Sequence, residues 1–220
     1  MKTFSSIIKN IFSTHQKVEC TIKEPSIKPV ERVVIDGQNV MYGSTSDQRI
    51  SLLNLLGLVV ELNNRKIPTK CFFDANTFFT LTRANRKDEA YAYRRLCHDF
   101  PDLFIEVPGH NRADDFLLDY ANSSGESIIS NDQYSDFYTK YGWIADSQRR
   151  FSFLIHSGII QIVTLGISAS IPTKLSDAEN ILRDQIGRIT GKYVPTNAPV
   201  KINRTNNHAK NKGKMVLSAA

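Results

Sequence analysis

Residues 109–116 read GHNRADDF and residues 127–132 read SIISND, with an apolar helical pattern between them. An earlier segment, residues 33–39, reads VVIDGQN and has the pattern of a buried strand that ends at an acid. Each of the three segments carries a carboxylate where a buried element meets a loop. Four such carboxylates on one rim would form an acidic pocket for a hard divalent cation.

Predicted strands and helices alternate along the chain, which is typical of an α/β fold with a three-layer parallel sheet. We predict strands at 30–36, 70–73, 103–107, 127–130 and 159–165, and helices at 50–62, 83–98, 114–123, 133–140, 146–156 and 176–189. In open sheets of this kind ligands bind beyond the carboxyl ends of the strands. The acids that follow predicted strands, Asp36, Asp74 and Asp132, are therefore expected at one edge of the sheet.

The candidate catalytic and metal-binding residues are four aspartates. They are Asp36, Asp114, Asp115 and Asp132. Mg²⁺ and Mn²⁺ prefer oxygen ligands, whereas zinc would call for closely spaced histidines or cysteines. Like charges in a cluster repel unless a cation is bound. A metal held there generates hydroxide from water and stabilises charge on a phosphodiester, which predicts a metal-dependent nuclease.

Four further residues are candidate substrate contacts. Asn39 is expected to hold a ligand water or a phosphate oxygen, and Arg112 is expected to clamp a phosphate. Arg83 and Arg86 belong to a predicted helix with a basic surface, which is a candidate for RNA contact.

Each acid also has a simpler interpretation. Asp36 with Gly37 is a frequent turn at the end of a strand. Asp114 and Asp115 complement the dipole of a helix, and Asp132 is a good N-cap. Taken singly these interpretations are stronger, but the combination on one predicted rim favours a site. Asp74 and Asp136 are weaker candidates.

The charge of the chain is concentrated at its carboxyl end. Lysines and arginines number 28 against 22 aspartates and glutamates, a net charge of +6. Residues 191–220 contain six basic residues and no acid, so the tail accounts for the whole excess. A basic tail predicts either a polyanionic partner or a solvated, disordered segment. We expect an amphipathic segment and linker at 1–29, a nuclease domain at 30–190 and a basic tail at 191–220.

The remaining composition indicates a globular protein of a reducing compartment. Three cysteines (Cys20, Cys71 and Cys97) lack metal-ligand spacing and an evident disulfide frame, which favours a cytoplasmic location. No apolar run is long enough to span a bilayer, and residues 1–17 do not form a convincing secretory signal. RNA is the expected partner, no membrane partner is expected, and the sequence leaves open a homodimer.

The three motifs together resemble the Regnase-type branch of the NYN/PIN-like nucleases. The motifs are VVIDGQNV (33–40), RADDF (112–116) and SND (130–132) followed by Asp136, and the similarity extends over 30–165. Residues 149–162 resemble that branch's closing helix and strand. The resemblance implies a PIN-like fold and Mg²⁺-dependent endonucleolytic cleavage of RNA, with the metal-binding acids on Asp36, Asp114, Asp115 and Asp132. No CCCH zinc finger of the kind found in animal members is present, so RNA selection must come from elsewhere.

Other functions fit the sequence less well. A non-catalytic RNA-binding module has no evident need for four clustered acids beside a phosphate backbone. A dinucleotide-dependent enzyme would require a glycine fingerprint after the first strand, which is absent from the sequence. A phosphatase with an aspartyl-phosphate intermediate would want a second carboxylate two residues after Asp36, where Gln38 stands.

Overall fold

The structure is a computed structural model that describes residues 30–43, 49–146 and 148–191. The predicted amphipathic helix and linker at 1–29 lie outside the described residues. The predicted basic tail lies outside them too, except for Gly191. The domain boundaries therefore stay predictions.

A five-stranded parallel sheet forms the centre of the fold, in the order β3-β2-β1-β4-β5. The strands are β1 Val33–Asp36, β2 Thr69–Phe73, β3 Phe104–Glu106, β4 Ser127–Ile129 and β5 Arg150–Phe151. The chain builds outward from β1 to β3 and then returns to the other side of β1. This reversal of strand order between β1 and β4 is the point at which open α/β sheets bind ligands.

Six α-helices connect and cover the strands in the described part of the chain. They are α1 Gly37–Tyr42, α2 Leu52–Asn64, α3 Thr77–Arg83, α4 Lys87–Asp99, α5 Ala113–Ser124 and α6 Leu175–Thr190. Local signals set several ends: the Ser51 side chain caps α2, and Gly125 ends α5 with a φ of 74°.

Alternate residues of β1 enter two separate cores, because successive side chains of a strand point to opposite faces. Val33 and Ile35 join a large cluster with buried residues of α2, α4 and α6. Val34 joins a smaller cluster with buried residues of α5. The predicted three-layer α/β architecture is therefore confirmed.

A second, three-stranded antiparallel sheet corrects the prediction at 159–165. It consists of β6 Leu154–His156, β7 Ile159–Ile162 and β8 Ile167–Ser170. The predicted fifth parallel strand is thus β7 of this small sheet, followed by a 3-10 turn at Val163–Leu165. Strand β7 buries only alternate residues, Ile160 and Ile162, as expected for a sheet with one covered face.

Three predicted helices are also corrected. The helix predicted at 83–98 is confirmed as α4 Lys87–Asp99, but it begins four residues later than predicted, because Arg83 ends α3 and Asn85, with a φ of 61°, lies in the turn between the two helices. The helix predicted at 146–156 contains strands β5 and β6, including His156. The helix predicted at 133–140 is reduced to a 3-10 turn at Ser135–Phe137. In the last two cases apolar spacing alone did not distinguish a helix from short buried segments.

Within the described ranges, no helix is long and apolar enough to cross a membrane.

Candidate active site

The acidic rim lies at the carboxyl edge of the parallel sheet, around the reversal of strand order. Asp36 ends β1, Asp132 follows the neighbouring strand β4, and Asp74 follows β2 on the other side. Asp114 and Asp115 stand in the first turn of α5. We call Asp36, Asp114, Asp115 and Asp132, at this edge, the acidic rim.

Asp36 is the most constrained member of the acidic rim. Its Oδ1 accepts a hydrogen bond from the backbone N–H of Asn39 at 3.0 Å, which caps α1. Its Oδ2 accepts from the hydroxyl groups of Ser130 at 3.1 Å and Tyr134 at 2.9 Å. Burial raises the pKa of Asp36 to about 6, and the nearby charge of Asp114 adds to the increase, although these three hydrogen bonds oppose it.

Tyr134 is a residue of the candidate site that sequence reasoning missed. It is 3% exposed, and its backbone has a φ of 51°, a left-handed conformation that is uncommon for a residue other than glycine. This turn directs its hydroxyl group back onto Asp36. Its place two residues after Asp132 was the one available signal, because the turn that aims the ring is not visible in hydrophobic spacing.

Asp114 stands between a cation and other acids. Its carboxylate lies 2.8 Å from the guanidinium Nη2 of Arg112. Burial nevertheless raises the pKa of Asp114, with Asp132 and Asp74 adding to the increase against the effect of Arg112. The hydrogen bond to Asp114 raises the pKa of Arg112, whose side chain stays 61% exposed. Arg112 is therefore an exposed cation beside the acidic rim, and its contact with a phosphate stays a prediction.

Asp74 helps to place the helix that carries two of the acids. Its Oδ1 accepts a hydrogen bond at 3.0 Å from the backbone N–H of Ala113, the first residue of α5. The predicted weaker candidate thus acts on Asp114 and Asp115 through the start of their helix. On its other side, the hydroxyl group of Thr77 donates to the backbone carbonyl of Asp74 at 2.7 Å and lies 3.0 Å from the side-chain oxygen of Gln38.

A chain of amide contacts ties the loop after β4 to its neighbours. The side-chain oxygen of Asn39 accepts from the backbone N–H of Asn131 at 2.8 Å. The side-chain oxygen of Asn131 accepts from the backbone N–H of Phe153 at 2.9 Å. Asp132 is exposed and accepts from the backbone N–H of Tyr134 at 2.8 Å, so it closes the turn that aims the tyrosine.

The two arginines predicted to contact RNA have different environments. Arg83 is exposed in the last turn of α3. Arg86 instead donates to Ser51 Oγ at 2.7 Å and pairs with Glu89 at 2.6 Å. Glu89 also accepts from the backbone N–H of Leu52 at 2.6 Å, so Arg86 belongs to a network that joins α4 to the start of α2.

The donor atoms of the acidic rim match a magnesium ion in kind. They are carboxylate oxygens, and the electrostatic influence of Asp114 on Asp36 and of Asp132 on Asp114 shows that they share one region. Among the described residues, however, no three His, Cys, Asp or Glu side chains converge closely enough to hold a metal ion directly. Since Mg²⁺ keeps several waters and often takes only one or two carboxylates, the donor set still fits it.

Two solved structures show a distant similarity to this chain. Among solved structures, nuclear proteinaceous RNase P 2 (PRORP2) from A. thaliana has 13% identity and a TM-score of 0.45, with 60% of this chain and 29% of that chain covered. The PIN domain endonuclease Utp24 has 17% identity and a TM-score of 0.32, with 64% and 97% covered. The chain thus spans less than a third of PRORP2, and no curated protein matches it.

A family model described as "Zc3h12a-like Ribonuclease NYN domain" matches residues 29–163, more than half of the chain. The matched region contains every strand of the parallel sheet and all four acids of the rim. The chain belongs to this family of NYN ribonuclease domains, which confirms the resemblance and the PIN-like fold expected from its motifs.

Proposed function

We propose that the protein is a metal-dependent endoribonuclease that cleaves RNA at the acidic rim. The observation that carries the proposal is the environment of Asp36. A carboxyl group whose pKa lies near 6, beside other acids and at the reversal of strand order, is typical of a functional site. An acid placed only for stability would be expected to face a cation.

Asp36, Asp114, Asp115 and Asp132 are the residues proposed to hold the ion, directly or through water. Mg²⁺ is the proposed cofactor, with Mn²⁺ as an alternative, because both prefer oxygen ligands. When bound, such an ion activates a water molecule and stabilises charge on the phosphodiester. Burial, helped by the neighbouring carboxylates, raises the pKa of Asp36 and Asp114 and so disfavours their charged forms, which a bound cation would stabilise.

Three side chains are proposed to position the RNA. Arg112 presents an exposed guanidinium group at the mouth and can turn from Asp114 to a phosphate. The oxygen of the Asn39 amide is engaged with Asn131, so its contact with a water or phosphate falls to the NH₂ end. Arg83 is free to approach the backbone because it is exposed, whereas Arg86 would first have to leave Glu89.

The experiment is cleavage of a generic RNA by the wild type and by Asp36→Asn, with Mg²⁺, Mn²⁺ or EDTA. We expect cutting by the wild type with either metal and none with EDTA or in the variant. Asp102→Asn is the matched control, because this exposed aspartate lies in the loop before β3, at the opposite edge of the sheet.

An RNA that binds but is never cut would contradict the proposal and favour a non-catalytic RNA-binding module on the same fold. Cutting that persists in EDTA would contradict the metal site alone. A cytoplasmic location stays a prediction, and a homodimer is a prediction that neither the fold nor the comparisons support.

A further inference from the structure

Three aromatic rings form a contiguous cluster on helices α3 and α4. The Phe78 ring lies 5.5 Å from the Phe79 ring and 5.7 Å from the Tyr91 ring, both with edge-to-face geometry. Phe78 packs partly against the core, whereas Phe79 is 53% and Tyr91 51% exposed. Single exposed apolar residues are ordinary, but large rings joined through a third ring form a patch.

Cations border the aromatic cluster. The Arg94 guanidinium lies over the Phe78 ring, 3.4 Å from its centroid. Arg83 lies four residues after Phe79 on α3, and Lys87 four residues before Tyr91 on α4, so each shares a helix face with an exposed ring. Arg83, Lys87 and Arg94 are all exposed. Asp88, beside Lys87, is the exposed acid nearest to these cations in sequence. The face is therefore positively charged as well as aromatic.

Helix α3, which carries two rings of the cluster, begins at the carboxyl edge of the sheet. Thr77, the first residue of α3, hydrogen-bonds Gln38, which follows Asp36 by two residues. Phe79 lies two residues further along α3, about 3 Å along the helix axis. Because residues two apart are about 200° apart around a helix, the Phe79 ring leaves α3 on the side away from Gln38. The cluster is therefore carried by a helix that starts at the carboxyl edge, and its exposed rings face outward from that helix.

We infer that Phe79 and Tyr91 are a stacking platform for unpaired RNA bases, with Arg83, Lys87 and Arg94 contacting the adjacent phosphates. The inference rests on the proposed function and assigns its substrate class as single-stranded RNA. Bases inside an A-form duplex are stacked and cannot reach such rings, whereas unpaired bases stack on aromatic side chains. A protein partner is less well matched, since the patch combines rings with cations and lacks exposed aliphatic residues.

The test measures the Kd of a fluorescent single-stranded oligonucleotide in EDTA, for the wild type and for the Phe79→Ala, Tyr91→Ala double variant. We expect the double variant to bind at least about tenfold more weakly, because each base stacked on a ring contributes measurably to affinity. Phe79→Tyr and Tyr91→Phe keep the rings and should bind like the wild type. The matched control is Leu154→Ala, an exposed apolar side chain on the small antiparallel sheet.

Two further readouts identify the contact. Duplex RNA should bind the double variant and the wild type equally. Arg94→Gln should reduce the slope of log affinity against log salt concentration by about 0.7, the value for one phosphate contact to a single strand.

Unchanged single-strand affinity in the double variant would overturn the inference, as would an equal loss for duplex RNA. A change in sedimentation with RNA affinity intact would overturn it too, and would identify a second copy as the occupant. Because binding is measured without metal, the outcome does not depend on cleavage. If binding depends on the two rings but the protein never cuts RNA, the stacking platform is upheld and the proposed nuclease activity is contradicted. If the enzyme cuts RNA but binds it equally well without the rings, the nuclease activity is upheld and the platform is contradicted.

Discussion

Two groups of acids in this molecule have opposite surroundings. At the acidic rim, Asp36 accepts hydrogen bonds from the uncharged groups of Asn39, Ser130 and Tyr134, and burial together with the charge of Asp114 raises its pKa. Asp114 differs in that the exposed Arg112 contacts it, but burial and its acidic neighbours still raise its pKa. On the opposite face of the sheet, Glu89, Glu179 and Asp99 each meet an arginine. In the second group, each acid forms an ion pair with an arginine, as expected for an acid that stabilises the fold.

The arginine-paired group joins helices that are distant in sequence. Arg183 is 4% exposed and lies 2.7 Å from Asp99, which connects α6 to α4. Arg95 lies 2.7 Å from Glu179 and makes a second contact between the same helices. Hydrogen bonds from His98 and Arg183 hold the pKa of Asp99 below its usual value, although burial opposes them.

The difference indicates which acids have a role beyond folding. A buried carboxylate beside a guanidinium is stabilised by that pair, and removing either partner is costly. A carboxylate beside other carboxylates weakens the metal-free fold, and carboxylates perturbed in this way cluster at functional sites. Four predictions follow from this contrast, each for one side of it.

The largest effect is expected from Asp115→Asn, which removes one charge from the acidic rim and keeps its shape. We expect cleavage to fall by at least about 10²-fold, a typical loss when one positioned electrostatic group is removed. The unfolding transition and RNA affinity should change little, because Asp115 is partly exposed in the first turn of α5. Cleavage at the wild-type rate would contradict the assignment of this residue.

The second prediction concerns the arginine-paired group. Arg183→Met should lower the free energy of unfolding by about 3 kcal/mol, because it leaves Asp99 without its partner across the helix contact. The estimate is at the low end of the usual range, since Arg95 still pairs with Glu179. Urea unfolding measures the loss, and cleavage well below the transition should stay near the wild-type rate. A loss of cleavage in the folded variant would mean that the arginine-paired group also serves activity, and would contradict the distinction between the two groups of acids.

The third prediction is a pH dependence of stability that arises from Asp36. Its pKa is raised from 3.8 to about 6 on folding, so the protonated form is favoured in the folded state. The stabilisation is fully present below about pH 4 and is lost as the pH rises through about 6, a change of at most about 3 kcal/mol. In urea unfolding with EDTA, Asp36→Asn should therefore be more stable than the wild type near pH 8. The gap should close near pH 4, and Asp102→Asn should show no such change.

The smallest effect is expected from Tyr134→Phe, which removes one hydrogen bond to Asp36 and keeps the ring. That hydrogen bond favours the ionised carboxylate, so its loss raises the pKa of Asp36 further. A net value of about 0.5–1.5 kcal/mol for the bond corresponds to a shift of about half a unit to one unit. The acidic limb of the pH–rate profile should move upward by that amount. An unmoved limb with a lower plateau would mean that the tyrosine acts on the fold instead.

The sequence alone predicted the parallel sheet and the edge at which the acids meet. Strand β1 is a continuous apolar run that ends at an acid. Helix α5 has acids in its first turn and a glycine immediately after its end. In both elements the local sequence favours the same structure that the fold requires. The error at 146–156 has the opposite cause. There the apolar residues belong to two short strands in different sheets, and only their pairing with β4 and β7 distinguishes them from a helix.

The sequence by itself therefore determined the fold class, the acidic motifs and the edge that they share. Only the tertiary structure decided which groups lie next to each charged or aromatic side chain. It pairs Arg183 with Asp99, turns Tyr134 onto Asp36 and joins Tyr91 to Phe78. The physical reason is that hydrophobic period and turn residues act over a few positions, whereas burial and Coulomb interactions depend on neighbours that are distant in sequence.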